Sequence, residues 1–213
     1  MRLILIASVA TLALAACDRD APDNRAVAKP ATAPAATTRP DRKINASFDC
    51  GRARGQAQEL ICADANLAAM DREAVRLGAG DPAGQATWAS ERDACGKADE
   101  LRLCVMANAA LRIHHLRAAS PDEAAGISVG PVAFRCKGLD APLSVTFINS
   151  DPGAVAVESN GQVVALDHVE AASGARYVGR WNGEEWGFWE HGGEATLGVP
   201  GKGDLTCTKQ AKS

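Results

Sequence analysis

Seven cysteines carry most of the reactive side-chain chemistry in this 213-residue sequence, at positions 17, 50, 62, 95, 104, 136 and 207. Cys17 stands apart from the rest. It follows a basic start, Met1-Arg2, and an apolar run of 14 residues from Leu3 to Ala16. That run is shorter than the roughly 20 residues a bilayer-spanning helix needs, and it has the length of a signal-peptide core. Six cysteines then remain, and an even count in an exported chain reads as three disulfides. No C-x-x-C pair occurs. The four histidines, His114, His115, His168 and His191, do not stand at metal-site spacing with any cysteine pair, so no metal site is expected. No serine, cysteine or carboxylate sits in a described nucleophile–base or acid-pair motif. The expectation is a protein that is not an enzyme and needs no cofactor.

These residues need elements to hold them. Asp18 to about Ala46 is rich in Ala, Pro, Thr and charge and has no periodic apolar pattern, so it reads as a tether. Residues 47–119 read as helical. Leu60, Ile61, Leu67, Met70, Val75 and Leu77 recur at helix-like intervals, and so do Leu101, Val105, Ala109, Ile113 and Leu116 within a second stretch from Trp88 to Leu116. Residues 78–84 break the two halves. A region of this size has a small core, so the four cysteines within it are expected to add covalent support. The pairing Cys50–Cys62 with Cys95–Cys104 is favoured, although spacing alone allows others. Asp64 suits the N-cap of a helix that begins just after it.

Residues 120–130 read as a linker. Beyond it the apolar period shortens to two, as in Val132-Phe134-Cys136, Leu143-Val145-Phe147, Val155-Val157 and Val163-Ala165. Turn signals then arrive every 8 to 12 residues, among them Asn160-Gly161, Ser173-Gly174, Asn182-Gly183 and Gly192-Gly193. About eight short strands fit in residues 131–208, as a small antiparallel barrel or sandwich, with 209–213 as a tail. A bond between Cys136 in the first strand and Cys207 in the last would join the ends of the sheet. The fold class expected is α+β in two domains, a small disulfide-stapled helical domain followed by the β domain.

Three resemblances add to this. Leu14-Ala15-Ala16-Cys17 resembles a bacterial lipobox, which implies cleavage after residue 16, lipid on Cys17 and a chain held to the periplasmic side of an inner or outer membrane. Cys136, Leu143 to Phe147, Ser173-Gly174-Ala175-Arg176-Tyr177, Phe188-Trp189, Gly192, Glu194-Ala195-Thr196-Leu197 and Cys207 together resemble the membrane-bound inhibitors of c-type lysozyme (MliC). That resemblance implies an eight-stranded antiparallel barrel and polar residues that reach into the lysozyme cleft. Phe48-Asp49-Cys50, Ile61-Cys62-Ala63-Asp64, Leu67, Met70-Asp71, Trp88, Glu91-Arg92-Asp93, Cys95-Gly96 and Cys104 resemble the LprI-type helical domain, from which no residue role carries over.

The MliC resemblance implies contact with lysozyme through Ser173, Arg176, Tyr177 and His191. Lysozyme works with one neutral and one ionised carboxyl group. A blocker therefore needs donors or positive charge placed against them. Ser173 matches the hydroxyl of the family. His191 stands where the family has a lysine, so a titrating imidazole replaces a fixed charge. Facing two carboxylates, it is expected to inhibit more strongly as pH falls toward about 6. Outside the resemblance, Ser173 is an ordinary turn residue and His191 a loop residue. Trp186 and Trp189 are read as sharing one face of the sheet and as core. The partner expected is cationic c-type lysozyme, not nucleic acid. Residues 130–213 carry ten acids against seven bases, a balance of −3 that favours a cationic partner. The alternative is a non-enzymatic envelope scaffolding or cell-wall-binding lipoprotein.

Overall fold

The computed structural model describes residues 44–121, 124 and 126–211. The expected signal peptide, Cys17 and most of the expected tether lie outside the described residues. Four helices come first: α1 (Gly55–Ala63), α2 (Ala65–Leu77), α3 (Pro82–Ala94) and α4 (Leu101–Ala119). Eight strands follow: β1 (Ser128–Cys136), β2 (Leu143–Ile148), β3 (Ala154–Ser159), β4 (Gln162–Val169), β5 (Ala175–Trp181), β6 (Glu184–His191), β7 (Glu194–Val199) and β8 (Gly203–Lys209). β1 begins at Ser128, inside the stretch read as a linker.

Local chemistry sets the helix ends. The Asp64 carboxylate accepts the N–H groups of Asn66 and Leu67, at 2.9 and 3.1 Å, and so opens α2. Asp81 opens α3, with Pro82 in the first helical position and Asp81 accepting from Gly84 N at 3.0 Å. That N–H, joined by Arg112, holds the Asp81 carboxyl below its usual range. The stretch Trp88 to Leu116 is two helices, because the chain turns at Cys95–Lys97 before α4 starts. Disulfides Cys50–Cys62 and Cys95–Cys104 staple the bundle. Ile61, Leu67, Met70, Met106 and Ile113 fill its interior. Asp71 and Arg92 form a buried ion pair at 2.7 Å, with the Arg92 guanidinium lying over the rings of Phe48 and Trp88.

All eight strands pair antiparallel in sequence order, and β1 closes on β8 to complete a barrel. The hairpin turns Asn160-Gly161 and Asn182-Gly183 have positive φ at both central residues, the geometry that matches the twist of flanking strands. Phe134, Leu143, Val145, Val155, Val157, Val164, Leu166, Phe188 and Leu197 fill the interior. Cys136 and Cys207 are directly paired in register and bonded, a link across 71 residues of chain. Replacing both with serine is expected to cost about 4 kcal/mol of stability, by the entropy a loop of that length returns to the unfolded chain. A urea midpoint unchanged from that of the unsubstituted protein would exclude this.

The bundle packs on the outer face of β2–β4. Ile148, Ala154, Ala156, Val163 and Ala165 belong to the same apolar core as the helices. α4 crosses this face, and its fully buried His114 places Nδ1 2.9 Å from Thr146 Oγ1 and Nε2 3.0 Å from Glu158 Oε2. Arg102 bridges Asp64 at 3.0 Å and Asp167 at 2.8 Å. Ile44 and Ala46, the end of the expected tether, pack against the same core.

Candidate functional site

Three loops share one end of the barrel: the turn between β2 and β3, the segment 170–174 before β5, and the Gly192-Gly193 turn between β6 and β7. The last two carry the site. β5 and β6 pair along their whole length, with Ala175 opposite Glu190, Arg176 opposite Trp189 and Tyr177 opposite Phe188. Side chains alternate faces along a strand. Arg176, Trp189 and His191 therefore stand on the outer face, while Tyr177 and Phe188 point inward.

Segment 170–174 is pressed onto the end of β6. Gly174 takes φ +67°, and a Cβ there would lie 2.3 Å from the Glu190 carbonyl oxygen and 3.0 Å from His191 Cβ. Only glycine allows that approach. The Trp189 indole N–H donates to the Ser173 carbonyl at 2.9 Å. The Trp189 ring meets the His191 imidazole edge-on, with centroids 5.0 Å apart. Ser173 is exposed and His191 half-buried. The structure thus brings Ser173 and His191 together through Trp189, and adds the exposed Arg176 beside them. Glu194 is directly opposite His191 on β7, so the imidazole sits in an acidic neighbourhood of this protein's own making.

Tyr177 is placed differently from the other three. It is 7% exposed and packs inside the barrel against Phe147 and against His168. Burial pushes its phenol pKa up, and the charge of Glu190 adds to that. It braces the wall behind the cluster. Trp186 and Trp189 do not share a face. They are three residues apart, so alternation separates them. Trp186 packs on the barrel core, whereas Trp189 is 37% exposed on the outside. From the sequence Gly174 reads only as a turn glycine and Trp189 as core, whereas the structure places both in the cluster. The parity of Trp189 with His191 is the signal that marks it.

A family model described as membrane-bound lysozyme-inhibitor of c-type lysozyme matches residues 134–206. Lipoprotein LprI of Mycobacterium bovis (strain ATCC BAA-935 / AF2122/97) is 34% identical over 182 residues, covering 80% of this chain and 87% of its own length. Lipoprotein LprI of Mycobacterium tuberculosis (strain ATCC 25618 / H37Rv) matches to the same extent. A match of that length takes in residues of both the helical bundle and the barrel. No solved structure matches.

Proposed function

This chain belongs to the LprI family of lipoproteins and carries an MliC-type barrel, and from that premise we propose that it is a lipid-anchored inhibitor of c-type lysozyme. The anchor is lipid on Cys17, and the position is the periplasmic side of a bacterial membrane. Inhibition works by occlusion. The Ser173 hydroxyl and the His191 imidazole enter the lysozyme cleft and offer donors to its two carboxyl groups, while Arg176 reaches the rim. The observation that supports this most is the seating of Gly174 on the end of β6, which sets Ser173 and His191 side by side as one projection. Charge-assisted hydrogen bonds to a carboxylate are roughly twice as strong as neutral ones. A protonated His191 is therefore the better inhibitor.

The test is inhibition of a c-type lysozyme by the mature chain and by its Ser173→Ala, His191→Ala double variant. Inhibition that survives the pair of substitutions would sink the proposal. His191→Lys makes a finer prediction. It restores a fixed positive charge at the position, so inhibition at pH 8 should tighten by about tenfold, as expected when about 1.4 kcal/mol is gained from a charge-assisted bond. A His191→Lys variant that inhibits like the unsubstituted protein at pH 8 would remove His191 from the contact.

A further inference from the structure

The outer face of β5–β8 holds an open groove of about 500 Å³ beside the loop cluster. Its end wall is the Trp189 ring, its sides are Arg176, Thr196 and Asp204, and segment 170–172 overhangs it, with Glu170 at the edge. Gly187 and Gly198 form the floor and are paired directly with each other across β6 and β7.

From this arrangement we infer that the groove is a saccharide-binding site for a short run of uncharged pyranose rings. Three observations carry it. First, Trp189 is one of only two large apolar side chains that stand exposed among the described residues, and its indole N–H is already committed to the Ser173 carbonyl. The ring is thereby held in one orientation, and the side chain is 37% exposed. A pyranose offers one face of C–H bonds and a rim of hydroxyls, so an aromatic platform bordered by polar groups fits it.

Second, those polar groups are of both kinds. Glu170 and Asp204 accept, Arg176 donates and Thr196 does both. None of the three charged groups has an ion-pair partner among the described residues. Hydroxyls donate and accept at once, so they suit this mixture better than an anion or a cation would.

Third, the barrel does not need glycine at the floor. Neither Gly187 nor Gly198 has a positive φ. A Cβ at Gly187 would meet nothing nearer than the Tyr177 carbonyl oxygen at 3.8 Å, and one at Gly198 would meet Asp204 Oδ1 at 3.4 Å, ordinary van der Waals contact. Glycine within a strand costs about 0.5–1 kcal/mol relative to alanine, and here no contact or dihedral offsets it. What the two glycines provide is empty space over the sheet, with Trp189 standing at its end. This site shares Trp189 and Arg176 with the inhibitory cluster, while its floor and far side, Gly187, Gly198 and Asp204, lie outside that cluster. It would let the protein dock on the glycan of the wall whether or not lysozyme is present.

The test is a titration of the mature protein with the β-1,4-linked trimer of N-acetylglucosamine, followed by Trp fluorescence and by the indole N–H resonances. Saturable binding with Kd on the order of 0.1–1 mM is expected, shifting the Trp189 resonance. Trp189→Ala should abolish it. Gly187→Val fills the groove with a residue that strands favour, and should weaken binding at least about tenfold while lysozyme inhibition stays at the level of the unsubstituted protein. No saturable binding, or binding that Gly187→Val leaves intact, overturns the inference. So does the combination of no sugar binding with weakened inhibition in Gly187→Val, which would make the groove part of the protein interface.

Discussion

Gly174→Ala is expected to weaken lysozyme inhibition by about 100-fold or more while the barrel stays folded. The new methyl group would start 2.3 Å from the Glu190 carbonyl oxygen and 3.2 Å from Trp189 Nε1. The first of these is backbone, so no rotamer change relieves it. The left-handed φ of +67° adds about 1–2 kcal/mol for any residue with a Cβ. Both strains vanish if segment 170–174 lifts away from β6. That movement breaks the bond from Trp189 to the Ser173 carbonyl and takes the Ser173 hydroxyl away from His191. A shape-matched projection then becomes two loops that do not enter one cleft together. Losing about 3 kcal/mol of contact corresponds to the hundredfold stated. Ser173→Ala is the control. It removes one hydroxyl from an intact loop, so its cost should be nearer to that of a single hydrogen bond, about 0.5–1.5 kcal/mol. Inhibition constants for both variants, with far-UV circular dichroism and thermal melts for folding, decide the matter. A Gly174→Ala protein that inhibits like the unsubstituted chain would show that the seating of this loop is irrelevant.

The sequence makes the architecture legible because its two periods differ so plainly. Steps of three and four through Leu101, Val105, Ala109 and Ile113 give way to steps of two from Val132 onward, and the Asn-Gly turns mark where strands reverse. The site is harder to read. Whether two tryptophans share a face depends on counting residues along a strand whose register the turns define, and Trp189 lies an odd number of positions from Trp186. Close approach of one loop to another strand has no local signature at all, so Gly174 looks like any turn glycine until β6 is placed beneath it.

The junction of bundle and barrel was hidden for a related reason. The period of two in β3 and β4 shows one parity of each strand, Val155-Val157 and Val163-Ala165. The residues between them are apolar too. Ala154 to Val157 and Val163 to Leu166 are buried without interruption. An unbroken apolar strand means both faces are covered, here by the barrel interior on one side and α4 on the other. Arg117, Ser128 and Glu73, which join across the same seam, sit in three segments that nothing in the linear pattern connects.

That seam yields the second large expected effect. The Glu73 carboxylate on α2 is 4% exposed. It accepts from Arg76 at 2.9 Å, from Arg117 on α4 at 3.2 Å, and from the hydroxyl and the backbone N–H of Ser128 at the start of β1. Burial alone would raise its pKa. The hydrogen bonds from Arg76 and Ser128 and the Arg76 charge outweigh burial, and lower it from 4.5 to about 2. A carboxyl group whose folded-state pKa is depressed adds stability that is fully present above its unfolded value, near 4.5, and is lost as pH falls through about 2. The size follows from the shift and is roughly 3 kcal/mol at neutral pH. Glu73→Gln keeps the shape but leaves the buried Arg117 guanidinium facing a neutral amide, so it should cost about 3 kcal/mol at pH 7. The cost should shrink between pH 4.5 and 2, because there the unfolded chain takes up a proton at Glu73 that the native carboxylate does not bind until about pH 2. Urea midpoints for the two proteins at pH 7, 4 and 2 check this. The curves should converge as the pH drops, and curves that stay parallel from pH 7 to 2 would show that the Glu73 charge does not hold the bundle to the barrel.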